Sequence, residues 1–230
     1  MTTMLAIETS GPIGSLALRR GTTVHERCIA SPRDQAERLL PLIEELLRAA
    51  GVTVAGLDAL VFGRGPGSFT GLRIATAIAQ GLALAARKPM IGVSSLAAVA
   101  QGAFDTLGVT RSLVCLDARM GEVYFGSFEA ECGLVHACGP ERVATPDNVV
   151  APDWERWTAL GAGFSAYEDA LAPVARQAEA VVADSAAHAR DLLKLADREL
   201  AEGRAVAAAA ARPTYLRDDS AWRRADRDRG

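Results

Sequence analysis

The chain is short of the features that mark several common classes of protein. Its four cysteines, Cys28, Cys115, Cys132 and Cys138, include no C-x-x-C pair, so there is neither a disulfide framework nor a zinc-ligand spacing. Cys28 and Cys115 lie in apolar, strand-like runs, where buried reduced thiols are expected. The three histidines, His25, His136 and His188, stand far apart and form neither H-x-x-x-H nor H-E-x-x-H. A zinc hydrolase therefore lacks its ligand pair. Aromatic residues are only 5% of the chain, and Trp154, Trp157 and Trp222 are spaced too irregularly to serve as base-stacking platforms. A basic surplus is also missing. The formal net charge is −3 and the pI about 5.7, which argues against a protein whose main work is gripping nucleic acid through its phosphates. The start, MTTMLAIETS, has no basic leader, and Glu8 interrupts any apolar run, so no signal peptide is expected. No apolar run reaches the length of a membrane span without interruption. A cytoplasmic protein is expected.

What is present centres on residues 63–86, GRGPGSFTGLRIATAIAQGLALAA. A glycine-rich turn follows the apolar run Leu57–Phe62 and leads into a helix, with Ser68 or Thr70 as its N-cap. From Leu72 to Ala86 the only polar residues are Arg73, Thr76 and Gln80. They form one narrow stripe, the reverse of an ordinary surface helix. Such a helix needs cover on most of its circumference. The domain core supplies one side and a partner helix is expected on the other, with Gly81 and the alanines permitting close approach.

With 230 residues, half of them hydrophobic, the chain makes one large domain or two small ones and needs no covalent staples. Met4–Thr9, Ser15–Arg19 and Thr22–Ile29 read as three antiparallel strands. Pro32–Ala50 has helical periodicity, with Pro41 expected to kink it or mark its true start. Leu57–Phe62 is a fourth strand before the central helix, Met90–Val93 a fifth, and Ser94-Ser95 cap a helix to Leu107. The second half repeats the order. Strands are expected at Leu113–Leu116, Glu122–Phe128, Leu134–Val143, Thr158–Leu160 and Ala180–Val182. Helical pieces are expected at Pro146–Val150, Ala166–Leu171 and His188–Glu202. Two copies of β-β-β-α-β-α predict an α/β protein with a duplicated ribonuclease-H-like core. This is the architecture of the actin, sugar-kinase and Hsp70-ATPase group, an analogy of fold and not of function. The first lobe is expected to span 1–108. The second, shorter and more degenerate, should span 109–216, with a charged disordered tail at 217–230.

The motifs admit active and inert readings. The loop 63–71 lies between strand and helix, as a phosphate cradle would. It lacks the lysine of a Walker A motif, and Ser68 stands where a dinucleotide fingerprint wants its third glycine. The inert alternative is a tight turn packed under the helix. The turns Glu8-Thr9-Ser10 and Asp117–Gly121 occupy matching places in the two repeats. In an actin-like ATPase they would face each other and hold a metal–phosphate complex. Here Arg119 and Met120 replace the small residues of a phosphate loop. Glu8, Thr9, Ser10, Asp117 and Arg119 are thus candidates for a degenerate nucleotide cleft, or else Glu8 caps a turn and Arg119 pairs with Glu122. Gly67-Ser68-Phe69-Thr70-Gly71 is not a G-x-S-x-G elbow, so no serine hydrolase is indicated.

Taken together, M-L-A-I-E-T-S at 4–10, Q-A-E-R-L-L-P-L-I at 35–43, G-P-G-S-F-T-G-L-R-I at 65–74, D-A-R-M-G-E-V-Y at 117–124 and P-T-Y-L-R at 213–217 resemble the bacterial TsaB (YeaZ) family. The resemblance implies a non-catalytic, actin-like subunit without a cofactor. It would support the paralogue TsaD, with TsaE, in transferring threonylcarbamoyl from its adenylate to the adenosine beside the tRNA anticodon. It further implies a TsaD heterodimer, or a homodimer when alone, through the first two helices, with tRNA met only through the complex. The expected contact residues are Glu37, Leu40, Pro41, Ser68, Phe69, Thr70, Arg73, Ile74, Ala77, Ile78 and Gly81. Gln35 departs from the family, which often has histidine there. Two rival activities remain open: an ATP-binding phosphotransferase using Asp117, and a peptidase acting on TsaD.

Overall fold

A computed structural model describes residues 2–217. The first sheet is built from β1 (Thr3–Glu8), β2 (Gly14–Arg20), β3 (Thr23–Ile29), β4 (Ala59–Gly65) and β5 (Met90–Ser94), in the order β3-β2-β1-β4-β5. β1 is antiparallel to β2 and parallel to β4, and β5 is parallel to β4. The second sheet contains β6 (Arg111–Arg119), β7 (Glu122–Glu131), β8 (Leu134–Ala137), β9 (Arg142–Ala144), β10 (Thr158–Leu160) and β11 (Ala180–Val182). Its order is β11-β10-β6-β7-β8, with β9 on the same strand, β7. Read from the other edge, this is the first sheet again: two antiparallel pairs, then two parallel ones. The expected strand at 134–143 is split into β8 and β9, because Pro140 cannot donate to a ladder.

The helices are α1 (Gln35–Ala49), α2 (Phe69–Ala86), α3 (Ser95–Leu107), α4 (Gly163–Ala166), α5 (Glu168–Ala175) and α6 (Ala189–Ala201). α1 begins ahead of Pro41 and runs through it, so that residue neither starts nor ends the helix. Strand alternation sorts the core. On β1, Leu5 and Ile7 point to a cluster with Leu16, Leu18, Leu60 and Phe62 under α1 and α2. Met4 and Ala6 point the other way, with Ala17, Ala59 and Val61, onto α3 and α6. Small side chains on this second face let α6 lie close to the sheet. The same cluster includes Val114, Phe128, Val135 and Leu160 of the second sheet. The outer face of that sheet packs Leu113, Cys115 and Ala159 against Trp157, Phe164 and Leu171. The layers are therefore α1/α2, first sheet, α3/α6, second sheet, α4/α5.

Residues 189–216, which the sequence reading places with the second lobe, pack in large part on the first sheet. α6 packs on β1, β2, β4 and β5, and Ala208 and Ala211 join the cluster under α2. Val206 pairs with Met90 by two backbone hydrogen bonds of 2.8 Å. Arg217, expected to open a disordered tail, is instead held by Glu122, with Nε donating to Oε2 at 2.8 Å. The rest of that tail, 218–230, lies outside the described residues.

Candidate functional site

The Ser68 hydroxyl caps α2, accepting the Gly71 N–H at 3.3 Å. Leu72, Ala75, Thr76, Ala79 and Ala83 face inward. Two residues of the polar stripe, Arg73 and Gln80, meet the returning C-terminal segment. Gln80 Nε2 donates to the carbonyls of Ala208 and Ala211 at 2.9 and 3.0 Å. The Arg73 guanidinium lies 3.7 Å from the centre of the Phe69 ring, and its Nε donates to the Tyr215 hydroxyl at 3.4 Å. Phe69 and Tyr215 rings stand 5.6 Å apart. Ahead of the helix, Thr214 N donates to the Arg64 carbonyl at 2.7 Å. The motif P-T-Y-L-R is thus a strap along the glycine-rich loop and the start of α2.

The remaining flank of α2 is open. Ala77, Gly81, Leu84 and Ala85 are exposed, with Ile74 and Ile78 half-buried beside them. α1 packs alongside and presents Glu37, Leu40 and Pro41. Leu40 is 54% exposed and Leu84 61%, a poor use of large apolar side chains in an isolated chain. Ser68, Phe69, Thr70 and Arg73 are exposed at the start of α2, so each of the expected contact residues is exposed or half-buried. Leu84 and Ala85, not among the expected contact residues, are also exposed and continue the spacing of Ala77 and Gly81 by a further turn. With 18 residues and a mean hydropathy of 1.3, α2 is long and apolar enough to cross a membrane by length and composition. Its cap, its buried side and its bonds to residues 208–215 instead make it a packed helix of this fold.

The two acid turns differ from the arrangement of a facing phosphate cleft. Glu8 and Thr9 are buried and Ser10 nearly so. Glu8 Oε1 accepts the Ser10 N–H at 2.6 Å, and its Oε2 accepts the Ser95 hydroxyl at 2.9 Å. Gly63 lies directly against this carboxylate, where any Cβ would overlap Oε2. The Thr9 hydroxyl donates to the Gly71 carbonyl at 2.6 Å, and Ser68 N donates to the Ser10 carbonyl at 2.8 Å. The loop 63–71 therefore sits on the first turn as a lid of backbone. This is the inert reading of its glycines, and Glu8 caps the turn. Burial pushes the Glu8 carboxyl above its usual range, only partly countered by hydrogen bonds from Ser10, Ser95 and Thr9.

Asp117 is more open. Its Oδ1 accepts from Arg119 N at 2.7 Å and from the Tyr167 hydroxyl at 3.0 Å. Arg119 pairs with Asp117 at 2.9 Å and not with Glu122, which belongs to Arg217. Cys115 is buried as expected, and burial pushes its thiol up. Cys28 is exposed, because β3 is the edge of its sheet. A groove of about 330 Å³ lies between the entry to α1 and the start of α2, lined in part by Gly11, Arg33, Gln35, Ser68 and Thr70. Gln35, buried, abuts Gly14 from the α1 side.

A sheet of order 3-2-1-4-5 built twice, with each third helix in the shared middle layer, defines a duplicated ribonuclease-H-like, actin-like protein. Here the first acid turn is closed and one helix flank is uncovered. The family model described as TsaD, tRNA N6-adenosine threonylcarbamoyltransferase, matches residues 29–225. The tRNA threonylcarbamoyladenosine biosynthesis protein TsaB of Escherichia coli K12 is 40% identical over 228 residues, covering 96% of this chain and 97% of that one. Its Haemophilus influenzae counterpart is 34% identical over 240 residues, covering 96% of each. The solved structure of YeaZ from Pseudomonas aeruginosa superposes with a TM-score of 0.85 at 38% identity, covering 94% of this chain and all of that one. The chain belongs to the TsaB (YeaZ) family.

Proposed function

We propose that this chain is the non-catalytic subunit that binds TsaD and, with TsaE, supports formation of N6-threonylcarbamoyladenosine in tRNA. The relatives named TsaB give the pathway. The observation that carries the role is the uncovered flank of α2, where exposed Ala77 and Gly81 sit beside half-buried Ile74 and Ile78. Small residues there let a second helix approach closely, and Leu40, Pro41, Phe69 and Leu84 surround them with apolar surface. Two helices docking on two give packing of ridges into grooves and bury about 1,200–2,000 Å² in a stable pair. The same surface serves a homodimer when TsaD is absent. The closed Glu8 turn is the reason for preferring a scaffold over a phosphotransferase, since it offers no free carboxylate to a metal–phosphate complex. A cytoplasmic location follows from the tRNA substrate of the complex.

The test is Ala77→Glu. The residue is exposed, so the variant keeps its fold, while a charge buried in a helix–helix contact costs about 3–5 kcal/mol. Capture of TsaD on a sizing column should fall at least a hundredfold, and modification in a reconstituted assay should fall with it. Undiminished capture would refute the docking surface. Retained modification without capture would refute the scaffold role. Tight, Mg²⁺-dependent ATP binding that is lost in Asp117→Ala would favour the phosphotransferase instead.

A further inference from the structure

We propose that Glu26, Cys28 and His188 form a site for one divalent cation of the Zn²⁺ type, joining the free edge of the first sheet to the start of α6. Glu26 and Cys28 lie two apart on β3 and so share a face of that strand. Register places Cys28 opposite Ser15 and Glu26 opposite Ala17 on β2. The buried Ser15 hydroxyl accepts the Ala189 N–H at 2.8 Å, which pins the residue next to His188 over the same strands. One donor atom from each of the three side chains lies within 4.8 Å of the other two.

Two of these donors face each other only as a long ion pair. Glu26 Oε1 and His188 Nδ1 stand 3.6 Å apart, and both are buried without a hydrogen-bond partner. Buried polar atoms left in this state are costly, and a metal between them would satisfy both. The carboxylate divides its work. Oε2 faces the Arg190 guanidinium at 3.4 Å, leaving Oε1 for the site. Asp191 is not counted as a ligand, because its Oδ2 faces Gly102 on α3. The Glu26 and His188 side chains are 18% and 26% exposed and Cys28 is exposed. An ion can therefore enter, and a water molecule can take the fourth position.

The donor set selects the metal. One thiolate, one imidazole and one carboxylate suit Zn²⁺, whereas Mg²⁺ and Ca²⁺ require oxygen ligands. Tetrahedral zinc with bonds of about 2.0–2.3 Å needs donors about 3.3–3.8 Å apart, a spacing that Glu26 Oε1 and His188 Nδ1 already meet at 3.6 Å, so only the Cys28 thiol has to approach, by no more than about 1 Å. Rotation of the exposed Cys28 side chain supplies that. The thiol binds as thiolate, and its proton passes to solvent. Bound metal would clip an edge strand to the helix that lies between the two sheets.

The experiment uses the reduced, metal-free full chain and Zn²⁺ alone as probe, with alkylation by iodoacetamide followed at each cysteine by mass spectrometry. Cys132 and Cys138 are also exposed and act as internal controls. Zn²⁺ should slow alkylation of Cys28 about tenfold or more, because the metal occupies the nucleophilic thiolate. Cys132 and Cys138 should react as before, and Mg²⁺ should protect nothing. His188→Ala should abolish the protection. Zn²⁺ should also raise the Tm of the native chain but not that of Cys28→Ser, whose exposed position leaves the fold intact. Unchanged alkylation of Cys28 in excess Zn²⁺ would overturn the proposal. So would equal slowing at all three cysteines, or protection that survives both Glu26→Gln and His188→Ala.

Discussion

The two sheets share one strand order and one pattern of pairing, yet their outer faces are finished differently. On the first, Leu5, Ile7, Leu16, Leu18, Leu60 and Phe62 are covered by α1 and α2, helices of 15 and 18 residues. On the second, the cover is α4 and α5, of 4 and 8 residues, helped by Trp157 and Phe164. The short helices close their face. The long ones leave Leu40, Phe69 and Leu84 on the surface. The ladder hydrogen bonds hold a duplicated sheet to one topology, while the helices outside it are free to diverge. The acid turns diverge in the same way: Glu8 is enclosed, whereas Asp117 lies near the surface.

The largest contrast should come from the strand-to-helix junctions. A Cβ on Gly71 would overlap the Thr9 carbonyl oxygen, while one on Gly163 would lie 2.9 Å from the Cys115 carbonyl oxygen. Gly71→Ala should cost more than about 3 kcal/mol, and Gly163→Ala about 1–3 kcal/mol, read by urea unfolding. Equal costs would mean that the first junction is not the tighter. Next is the enclosed acid. The folded chain holds the Glu8 proton at pH values where the unfolded chain has released it. Stability from this group is therefore greatest at low pH and falls as pH rises past the ordinary glutamate range. Asp191, pushed up to about 7 first of all by burial, acts in the same sense between about pH 4 and 7. Glu8→Gln and Asp191→Asn should each raise Tm at neutral pH, by about 2–4 °C for every kcal/mol relieved, with the gain vanishing near pH 4. Asp117→Asn should change stability by less than about 0.5 kcal/mol. A rise of Tm with pH in the native chain, unchanged by both variants, would contradict this reading.

The smallest effect concerns the open flank. A Cβ on Gly81 meets nothing within 4 Å, so Gly81→Ala should stabilise the isolated chain by about 0.8–1 kcal/mol through helix propensity. If a partner backbone packs there, the same variant should weaken TsaD capture. Stabilisation with unaltered capture would move the contact toward Leu40 and Phe69.

Much of this was legible in residue order. Unbroken apolar runs in MLAI and LVF located buried strands, Ser68 and Ser94 announced helix starts, and the repeated order of elements announced the duplication. The uncovered apolar flank was legible because α2 carries too many apolar residues for one core to cover. Other features were hidden by distance along the chain. Gln80 read as part of a stripe with no known neighbour, since nothing local shows that residues 208–211 lie against it. Arg119 read as the partner of Glu122, but the left-handed turn at Arg119 and Met120 directs it to Asp117, and Arg217 takes Glu122.

Local chemistry by itself determined where strands and helices form and that α2 would have a surplus of apolar surface. These depend on periodicity, capping and side-chain volume, which act over a few residues. Only the tertiary structure decided which flank of α2 is bare, that the glycine-rich loop closes over Glu8, and that Glu26, Cys28 and His188 meet. Each depends on how sheets, straps and helices from distant parts of the chain pack together, and no spacing in the sequence records those contacts.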